Sequence, residues 1–415
     1  MLFVLAGITI VLTLAWCVTA AMRGASAGWR HAIWTCAFVA VLLLAPLRWR
    51  MPERATTPIF TVSTATTMTV SAEPIRQHPV DLMKLLWMTW AAGSLLMIVR
   101  LMVNSLRLRS IVRRAHGYCT DDVARGLVVT SREPDPPPAV IRLAECYLAF
   151  LTHAQDSDGA FHNRLDFDRR WTDKPGLGDW WGRALWGLGT AVARSPAGWI
   201  REEALGAFTA GAARRSSAPH AMAFAGLGAA EVLRVRPDDD GAAGLLADAA
   251  LAVGVPDDDP TWRWPHPRLS YANAALAEVV ILAGHFGDDR AVLRAGLRML
   301  GWLRDIQLVG GRLSVLPAKG WHRGAPRLRH DQQPIEVAAL ADAGATARAV
   351  TADPAWDAVV RQAIGWFLGE NDIGAAMWDP TTGGGYDGLT LHGPNLNQGA
   401  ESTLALISTM QHARP

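Results

Sequence analysis

The chain has 415 residues, half of them hydrophobic, which gives it length for two or three domains. Its formal net charge of +2 lacks the basic excess that phosphate backbones require, so we expect no nucleic-acid partner. The four cysteines follow neither the spacing of a metal site nor that of a disulfide framework, which suits a reducing compartment.

Three apolar stretches lie in the N-terminal third, and each is close to the roughly 20 residues that span a bilayer. We predict transmembrane helices at about 2–22, 31–47 and 84–103. A cleaved signal peptide is the alternative for the first stretch, but it lacks a basic start and two further stretches follow it. The predicted partner of this region is the lipid bilayer.

Arginines near these stretches indicate an orientation. The segment 105–116, after the third stretch, contains four arginines and no acidic residue, which favours a cytoplasmic location for everything downstream. The arginines between 48 and 54 argue for the opposite orientation, because three spans would put them outside. We predict a multi-pass protein of the cell inner membrane with a cytoplasmic C-terminal domain.

The segments "GWRHAIWTCAFVAVLLLAP" and "LLWMTWAAGSLLMIVRLMVNSLRLRSIVRRA" flank a loop rich in Thr and Ser. This region, about residues 1–130, resembles the membrane part of the M56 metallopeptidases of the antibiotic-sensor type. Those enzymes carry a zinc-binding H-E-x-x-H helix, and this sequence has no such motif. The resemblance therefore implies a membrane region at 1–115 without peptidase activity, followed by a linker at 116–138.

From about residue 139 onwards, apolar residues recur at helical spacing, and strand-like alternation is scarce. We therefore predict an all-α domain at 139–415. Alternate helices begin with a polar or aromatic entrance that leads into an Ala/Leu-rich body, which is a weak internal repeat of helical hairpins. The entrances are "GLGDWWGRALWGLG", "SSAPHAMAFAGLG", "HPRLSYANAALAEV", "RLRHDQQPIEVAAL" and "NLNQGAESTLAL".

Helical hairpins of this kind can stack as an open solenoid or close into a toroid. In a solenoid, the polar entrances would be ordinary solvated helix ends. In an α/α toroid the inner helices all begin at one face, so their first turns converge on one pocket. N-capping by Asn explains Asn395 or Asn397, but not both of them together with Gln398 and Glu401. We therefore predict the toroid.

Three segments of this domain carry a second resemblance: "DGAFHNRLDFDRRWTDKPGLGDWWGRALWGLG", "RHDQQPIEVAALADA" and "GPNLNQGAESTLALI". Over about residues 140–412 the chain is similar to a bacterial family of six-hairpin (α/α)-toroid proteins that are often encoded beside glycosyltransferases. The resemblance implies a six-hairpin glycosidase-like fold, a carbohydrate ligand and a glycosyltransferase partner. It does not fix the reaction, because a fold does not determine a function.

Glycoside chemistry needs two carboxyl groups, one protonated and one ionised. We predict Asp331, Glu401 and Asp179 as catalytic residues, with Glu401 or Asp331 as the proton donor. Two simpler interpretations stay open: Asp331 caps a helix, or Asp179 pairs with Arg183 four residues later on the same helix face.

Other polar residues at the helix entrances are candidates for binding the sugar. The predicted binding residues are Asp168, Arg169, Trp181, Arg183, His220, Gln332, Gln333, Glu336, Asn395 and Asn397. Several tryptophans near the entrances suit a platform for sugar rings, with core packing as the alternative for each: Trp171, Trp180, Trp181, Trp262, Trp264, Trp321 and Trp378. We predict no metal and no cofactor, because the histidines form no paired metal motif and "TTGGGYDG" lacks the lysine of a phosphate loop.

The functional prediction is a membrane-anchored carbohydrate-active protein that hydrolyses or phosphorolyses a glycoside. A non-catalytic, membrane-tethered glycan sensor or scaffold is the alternative. Two carboxyl groups about 5 to 10 Å apart in one pocket would favour catalysis, and one or none would favour binding. A gene-model artefact that joins two proteins at "SREPDPPPAV" would also explain the combination of regions.

Overall fold

The computed structural model describes residues 117–413 continuously. Before them it describes residues 2–21, 33–35, 37–38, 41, 88, 92–100 and 102–104. The chain divides into two compact units, Met1–Leu85 and Leu86–Pro415. In the first unit, helix α1 spans Leu2–Ala21.

The structure does not support the predicted transmembrane helices. In the described part of the chain, no helix is both long enough and apolar enough to cross a bilayer. The described side chains of α1 are those of residues 9–20, and much of 31–47 and of 84–103 falls outside the described residues. The prediction of a multi-pass inner-membrane protein with a cytoplasmic C-terminal domain is therefore wrong, and the bilayer partner that it implied is unsupported.

Eleven helices make up most of residues 117–413. They are α2 (Thr120–Ser131), α3 (Pro138–Ala154), α4 (Asp179–Arg194), α5 (Gly198–Ala212), α6 (Pro219–Val235), α7 (Asp240–Val253), α8 (Asn273–Phe286), α9 (Arg290–Gln307), α10 (Pro334–Thr351), α11 (Ala355–Leu368) and α12 (Ala400–Gln411). Eight very short strands lie in the loops and pair antiparallel. The pairs are β1 (Tyr118–Cys119) with β2 (Arg164–Leu165), β3 (Arg268–Leu269) with β6 (Trp321–His322), β4 (Leu308–Val309) with β5 (Arg312–Leu313), and β7 (Gly388–Thr390) with β8 (Gly393–Asn395).

The even-numbered helices from α2 to α12 form a closed inner ring. Each packs against the next one, and α12 packs against α2. The odd-numbered helices from α3 to α11 lie outside, each against the inner helix that precedes it. The predictions of an all-α domain and of a closed toroid are therefore confirmed.

Two helices were not predicted. Helix α2 lies inside the segment 116–138 that the sequence analysis assigned to a linker, and α5 was not recognised. Helix α2 is the first member of the inner ring, so the toroid includes residues from Thr120 onwards.

All inner helices begin at the same face, because each is joined to its neighbour through an antiparallel outer helix. We call this face the mouth. Long loops lead into it at 155–178, 254–272, 308–333 and 369–399, whereas the loops at the opposite face are only a few residues long. Pro219 and Pro334 occupy the first positions of α6 and α10, where the missing N–H of proline costs nothing.

Small residues set how closely the inner helices approach. A Cβ atom on Gly189 of α4 would lie 2.2 Å from the backbone oxygen of Gly228 on α6. A Cβ atom on Gly228 would lie 2.2 Å from the backbone oxygen of Leu185. Backbone cannot move aside as a flexible side chain does, so α4 and α6 depend on these glycines.

We therefore expect Gly189→Ala and Gly228→Ala each to lower the free energy of unfolding by about 1–3 kcal/mol, as overpacking does in other cores. Urea denaturation of the full chain measures the change. Gly206→Ala on the outer helix α5 is the matched control, because nothing lies within 4 Å of its added Cβ and alanine is the better helix former. If the three variants are equally stable, the close contact between α4 and α6 does not constrain the ring.

Candidate active site

Arg125 lies at the mouth between two carboxylates from opposite ends of the domain sequence. Its Nη1 atom is 2.6 Å from Oδ1 of Asp122 on the same helix, and its Nη2 atom is 2.5 Å from Oε2 of Glu401 on α12. Because both carboxylates bind one guanidinium group, they lie within about 7 Å of each other. This pair joins the first and last inner helices.

Arg183 on α4 is a second arginine in the same cluster. Its side chain is buried, its Nε atom is 3.3 Å from Oδ1 of Asp121, and its guanidinium group lies 4.0 Å from the ring centre of Phe224. Burial, reinforced by the nearby charge of Arg125, lowers the pKa of Arg183 to about 10. The two guanidinium groups are thus close enough to repel each other.

Several polar atoms of this cluster are buried without a hydrogen bond. They are Oδ1 of Asp121 and the Nε atoms of Arg125 and Arg183. Nε of Arg183 and Oδ1 of Asp121 nevertheless face each other at 3.3 Å as an ion pair. Buried polar groups in folded proteins are nearly always satisfied, so the Nε atom of Arg125 is the exception in this cluster that calls for an explanation.

The pKa of Asp122 is raised. Burial is the main cause, the charge of Arg125 opposes it, and the neighbouring carboxylates of Glu401 and Asp121 reinforce it. A carboxyl group with a raised pKa beside a second carboxylate is the arrangement in which one group holds a proton while the other stays ionised.

A second polar group lies on the α4, α6 and α8 side of the mouth. The hydroxyl of Tyr271 donates a hydrogen bond to the carboxylate of Asp179. The Nε2 atom of His220 lies 2.8 Å from the backbone oxygen of Tyr271, and the two rings stack with centroids 4.3 Å apart. Since a carbonyl oxygen only accepts, His220 carries its proton on Nε2. Burial lowers the pKa of His220 and keeps the ring neutral near pH 7.

Glu336 of α10 holds the start of α8 in place. Its two carboxylate oxygens accept from Nδ2 of Asn273 at 3.1 and 3.3 Å, and backbone groups of Ala272 and Asn273 also bind it. The N-terminus of α8 has no cap from its own sequence, and Ala272 has a left-handed φ of 46°. Glu336 therefore caps α8 from the neighbouring helix and fixes the adjacent Tyr271.

The axis of the ring is nearly filled. The cavity behind the mouth has a volume of about 40 Å³ and lies between apolar walls such as Phe224 and Ile335. It has room for a few water molecules, whereas pockets for small molecules measure about 300 Å³ or more. A ligand as large as a sugar ring would therefore bind at the mouth and not along the axis.

The structure brings four of the predicted site residues into these two groups, namely Asp179, Arg183, His220 and Glu401. Glu336 lies next to the second group, bound to Asn273 and Ala272. Asp331 is in neither group. It is exposed, and within the described residues its carboxylate forms no hydrogen bond or ion pair. The geometry thus gives it no partner for acid–base chemistry.

Two predicted binding residues are in the core. Trp181 is fully buried and donates from Nε1 to the backbone oxygen of Gly211 at 3.3 Å. Gln332 is also fully buried, and its side chain connects Asp372, at 2.6 Å, with the indole N–H of Trp366, at 2.9 Å. In this structure both side chains are inaccessible and bonded within the protein, so ligand contact by either residue stays a prediction without support from the geometry.

The remaining predicted residues lie at the edge of the mouth. Asn397 donates from Nδ2 to Asp387, and its backbone N–H donates to Oδ1 of Asn395 at 3.2 Å. Gln333 precedes α10 without capping it, and Asp168 and Arg169 are exposed at the tip of the turn after β2. None of them contacts the two polar groups described above.

The predicted tryptophan platform is largely core. Trp262 and Trp264 are buried, as Trp181 is, and Trp180 donates from Nε1 to the backbone oxygen of Phe161 at 2.6 Å. Their indole rings serve packing and hydrogen bonding within the loops. Trp171, Trp321 and Trp378 are partly buried.

Sequence reasoning missed Asp121, Asp122 and Arg125, because it assigned their helix to the linker. The segment "TDDVARGLVV" contains a signal that could have found them. Acidic residues directly after a threonine and before an apolar run are typical of a helix start.

No protein-family model matches the sequence, and no curated protein matches it. Solved structures do match. A sugar epimerase from a ruminal bacterium superposes with a TM-score of 0.52 at 12% identity, over 71% of this chain and 87% of the other. A D-mannose isomerase superposes with a TM-score of 0.52 at 8% identity, over 72% of this chain and 88% of the other. A GH76 α-mannanase from Bacteroides thetaiotaomicron superposes with a TM-score of 0.52 at 12% identity, over 72% of this chain and 87% of the other.

At such low identity these similarities establish the fold alone, an (α/α) toroid as predicted from the sequence, with six inner and five outer helices in the described residues. They confirm that part of the family resemblance. The predicted M56 membrane region and the glycosyltransferase partner have no support among these comparisons.

The titration of Glu336 gives a testable consequence. Burial raises its pKa to about 7, above the ordinary 4.5, so the folded protein binds this proton more tightly than the unfolded chain does. Its contribution to stability is full below pH 4.5 and is lost as the pH rises through 7, an effect of about 3 kcal/mol. We expect Glu336→Gln to flatten the pH dependence of the urea midpoint between pH 5 and 8.

The quantity to compare is the slope of the urea midpoint against pH. The midpoint itself is not compared, because the amide of Glu336→Gln also changes the hydrogen bonds to Asn273. The matched control is Glu202→Gln, which alters an exposed glutamate on α5 and should keep the wild-type slope. A Glu336→Gln slope identical to that of the unaltered protein would show that Glu336 does not titrate in this range.

Proposed function

We propose that this protein is a carbohydrate-active enzyme that hydrolyses a glycoside at the mouth of the toroid. Asp122 is the general acid and Glu401 the ionised partner. The observation that carries the proposal is the shared contact of both carboxylates with Arg125, which holds them within about 7 Å of each other.

The two carboxyl groups have environments that suit different tasks. Burial raises the pKa of Asp122, which favours the protonated form that a leaving oxygen requires. Glu401 is more exposed, with 40% of its side chain accessible, and it is ion-paired with Arg125. Glu401 can therefore activate water or attack the anomeric carbon.

The charge of the mouth favours hydrolysis over phosphorolysis. Four carboxylates face two guanidinium groups there: Asp121, Asp122, Asp179 and Glu401 against Arg125 and Arg183. A phosphate dianion would enter a site that is already negative, whereas water carries no charge. The names of the comparison proteins, which include a mannanase and a sugar epimerase, support a carbohydrate as the substrate.

We expect Glu401→Gln to reduce the hydrolysis of p-nitrophenyl glycosides by roughly 10²-fold or more. Asp122→Asn should reduce the rate of hydrolysis by a similar factor for oligosaccharides, because their leaving groups need a proton. The reduction should be much smaller for 2,4-dinitrophenyl glycosides, because their leaving group does not need one. Initial rates of the full chain on a panel of gluco-, manno-, galacto- and arabinosides measure both effects.

Asp331→Asn is the matched control, because Asp331 is an exposed carboxylate before an inner helix without any partner in the cluster. It should keep the wild-type rate, and circular dichroism should show all three variants folded. The proposal fails if Asp122→Asn and Glu401→Gln keep full activity. Binding of sugars without turnover by the unaltered protein would favour the glycan sensor instead.

Epimerisation of a sugar is a second candidate function. It needs a base that removes a proton next to a carbonyl group, and neutral His220 has a free acceptor at Nδ1 beside the Tyr271–Asp179 pair. Incubating mannose or cellobiose with the full chain in D₂O separates the two reactions, since only epimerisation introduces deuterium at C2. Glycoside cleavage without deuterium at C2 would eliminate this candidate.

A further inference from the structure

We propose that exposed aromatic side chains beside the mouth form an accessory sugar subsite, so that the substrate is an oligosaccharide or polysaccharide and not a monosaccharide derivative. We call Tyr118 and Phe167 the rim platform. This inference rests on the proposed function, because it extends the same site by one further binding position.

The rim platform is exposed on one side and supported on the other. Tyr118 is 52% exposed and Phe167 48%, and their ring centroids are 5.9 Å apart at 61°. Beneath them, Phe150 lies 6.4 Å from Tyr118 and 5.6 Å from Trp171. Trp171 is itself stacked on His162 at 4.9 Å, so the lower layer is packed while the upper rings face solvent.

The backbone beneath the platform is held by a pair of short antiparallel strands. Strand β1 pairs with β2, and Phe167 sits in the turn that follows β2. Arg169 donates its N–H to the backbone oxygen of Asp166 at 3.0 Å, and Arg170 donates to Oδ1 of Asp166 at 2.8 Å. A ligand that stacks on the platform therefore loses little affinity to ordering the loop.

The rim platform is close to the proposed catalytic pair. Tyr118 precedes Asp122 by four residues, so their Cα atoms are at most about 14 Å apart. Asp121 and Asp122 belong to the first turn of α2, directly after β1. A short oligosaccharide with one unit at Asp122 would thus place a further unit over Tyr118.

The chemistry of the platform suits a sugar better than a protein or lipid surface. Two half-exposed rings offer far less area than the roughly 800 Å² per partner of a stable protein interface. Polar side chains flank Phe167 on the turn, with Asp166 on one side and Asp168 and Arg169 on the other. Aromatic faces bordered by hydrogen-bonding groups match a ligand that has apolar ring faces and peripheral hydroxyls.

The test is the double substitution Tyr118→Ala with Phe167→Ala in the full chain. We expect kcat/KM for cellotetraose or α-1,6-mannotetraose to fall about tenfold or more, because the double variant removes both aromatic faces on which a sugar ring would stack. The rate on p-nitrophenyl monosaccharide glycosides should stay unchanged, because these substrates do not reach the platform. Titration calorimetry with the same tetraoses measures the loss of binding directly.

Trp199→Ala is the matched control. Trp199 is 52% exposed on α5, at the face opposite the mouth, and its removal should alter neither substrate class. The inference is overturned if the double variant keeps full activity and affinity for tetraoses, if it loses both substrate classes equally, or if the unaltered protein binds neither tetraose. It is also overturned if light scattering shows a dimer that the double variant abolishes, since the platform would then be a subunit interface.

The two proposals fail in different ways. If the unaltered protein cleaves no glycoside, the hydrolase proposal fails, and the calorimetric comparison of the double variant with Trp199→Ala still decides whether the rim platform binds sugar.

Discussion

The site depends on the closure of the ring between its first and last inner helices. Arg125 of α2 binds Glu401 of α12 at the mouth, and Arg132, directly after α2, binds Ser408 of α12 at 3.1 Å near the other end. Each of these contacts joins residues 276 positions apart in the sequence. Without this closure the carboxylates of α2 and α12 would not share a guanidinium group, and the entrances of the six inner helices would remain separate solvated ends.

Closure also buries charge along the axis, which has an energetic cost. Arg132 lies 2.8 Å from Asp342 of α10, and burial together with the neighbouring Asp342 raises the pKa of Glu278 on α8 to about 8. A purely structural ring could fill these positions with apolar residues at lower desolvation cost. The charged groups at the closed end of the axis are thus paired with one another, as Arg132 is with Asp342, while at the mouth Glu401 keeps an exposed side beside its pairing with Arg125.

The sequence revealed the architecture better than the site. Polar entrances ahead of Ala-rich helices correctly predicted a toroid whose inner helices converge, and four predicted residues lie in the polar groups of the mouth. The local sequence at each helix start could not show which carboxylate lies in the site, because that depends on contacts with residues distant in the chain. Asp331 has the same local signature as Glu401, yet only Glu401 faces an arginine from α2. Helix α2 was overlooked because its twelve residues lie between an arginine-rich segment and "PDPPP", a context typical of a linker.

In the proposed function, sugar binds over the carboxylates of Asp122 and Glu401 at the mouth. The most direct measurement is a crystal structure of the full-length Asp122→Asn variant soaked with cellotetraose or α-1,6-mannotetraose, in which cleavage is suppressed but the shape of the site is kept. We expect a glycosidic oxygen within hydrogen-bond distance of residue 122 and a hydroxyl group bound to Arg183 or Asp121. A tetraose bound at the opposite face, near Arg348 and His412, with the mouth occupied by water alone, would contradict the proposed function.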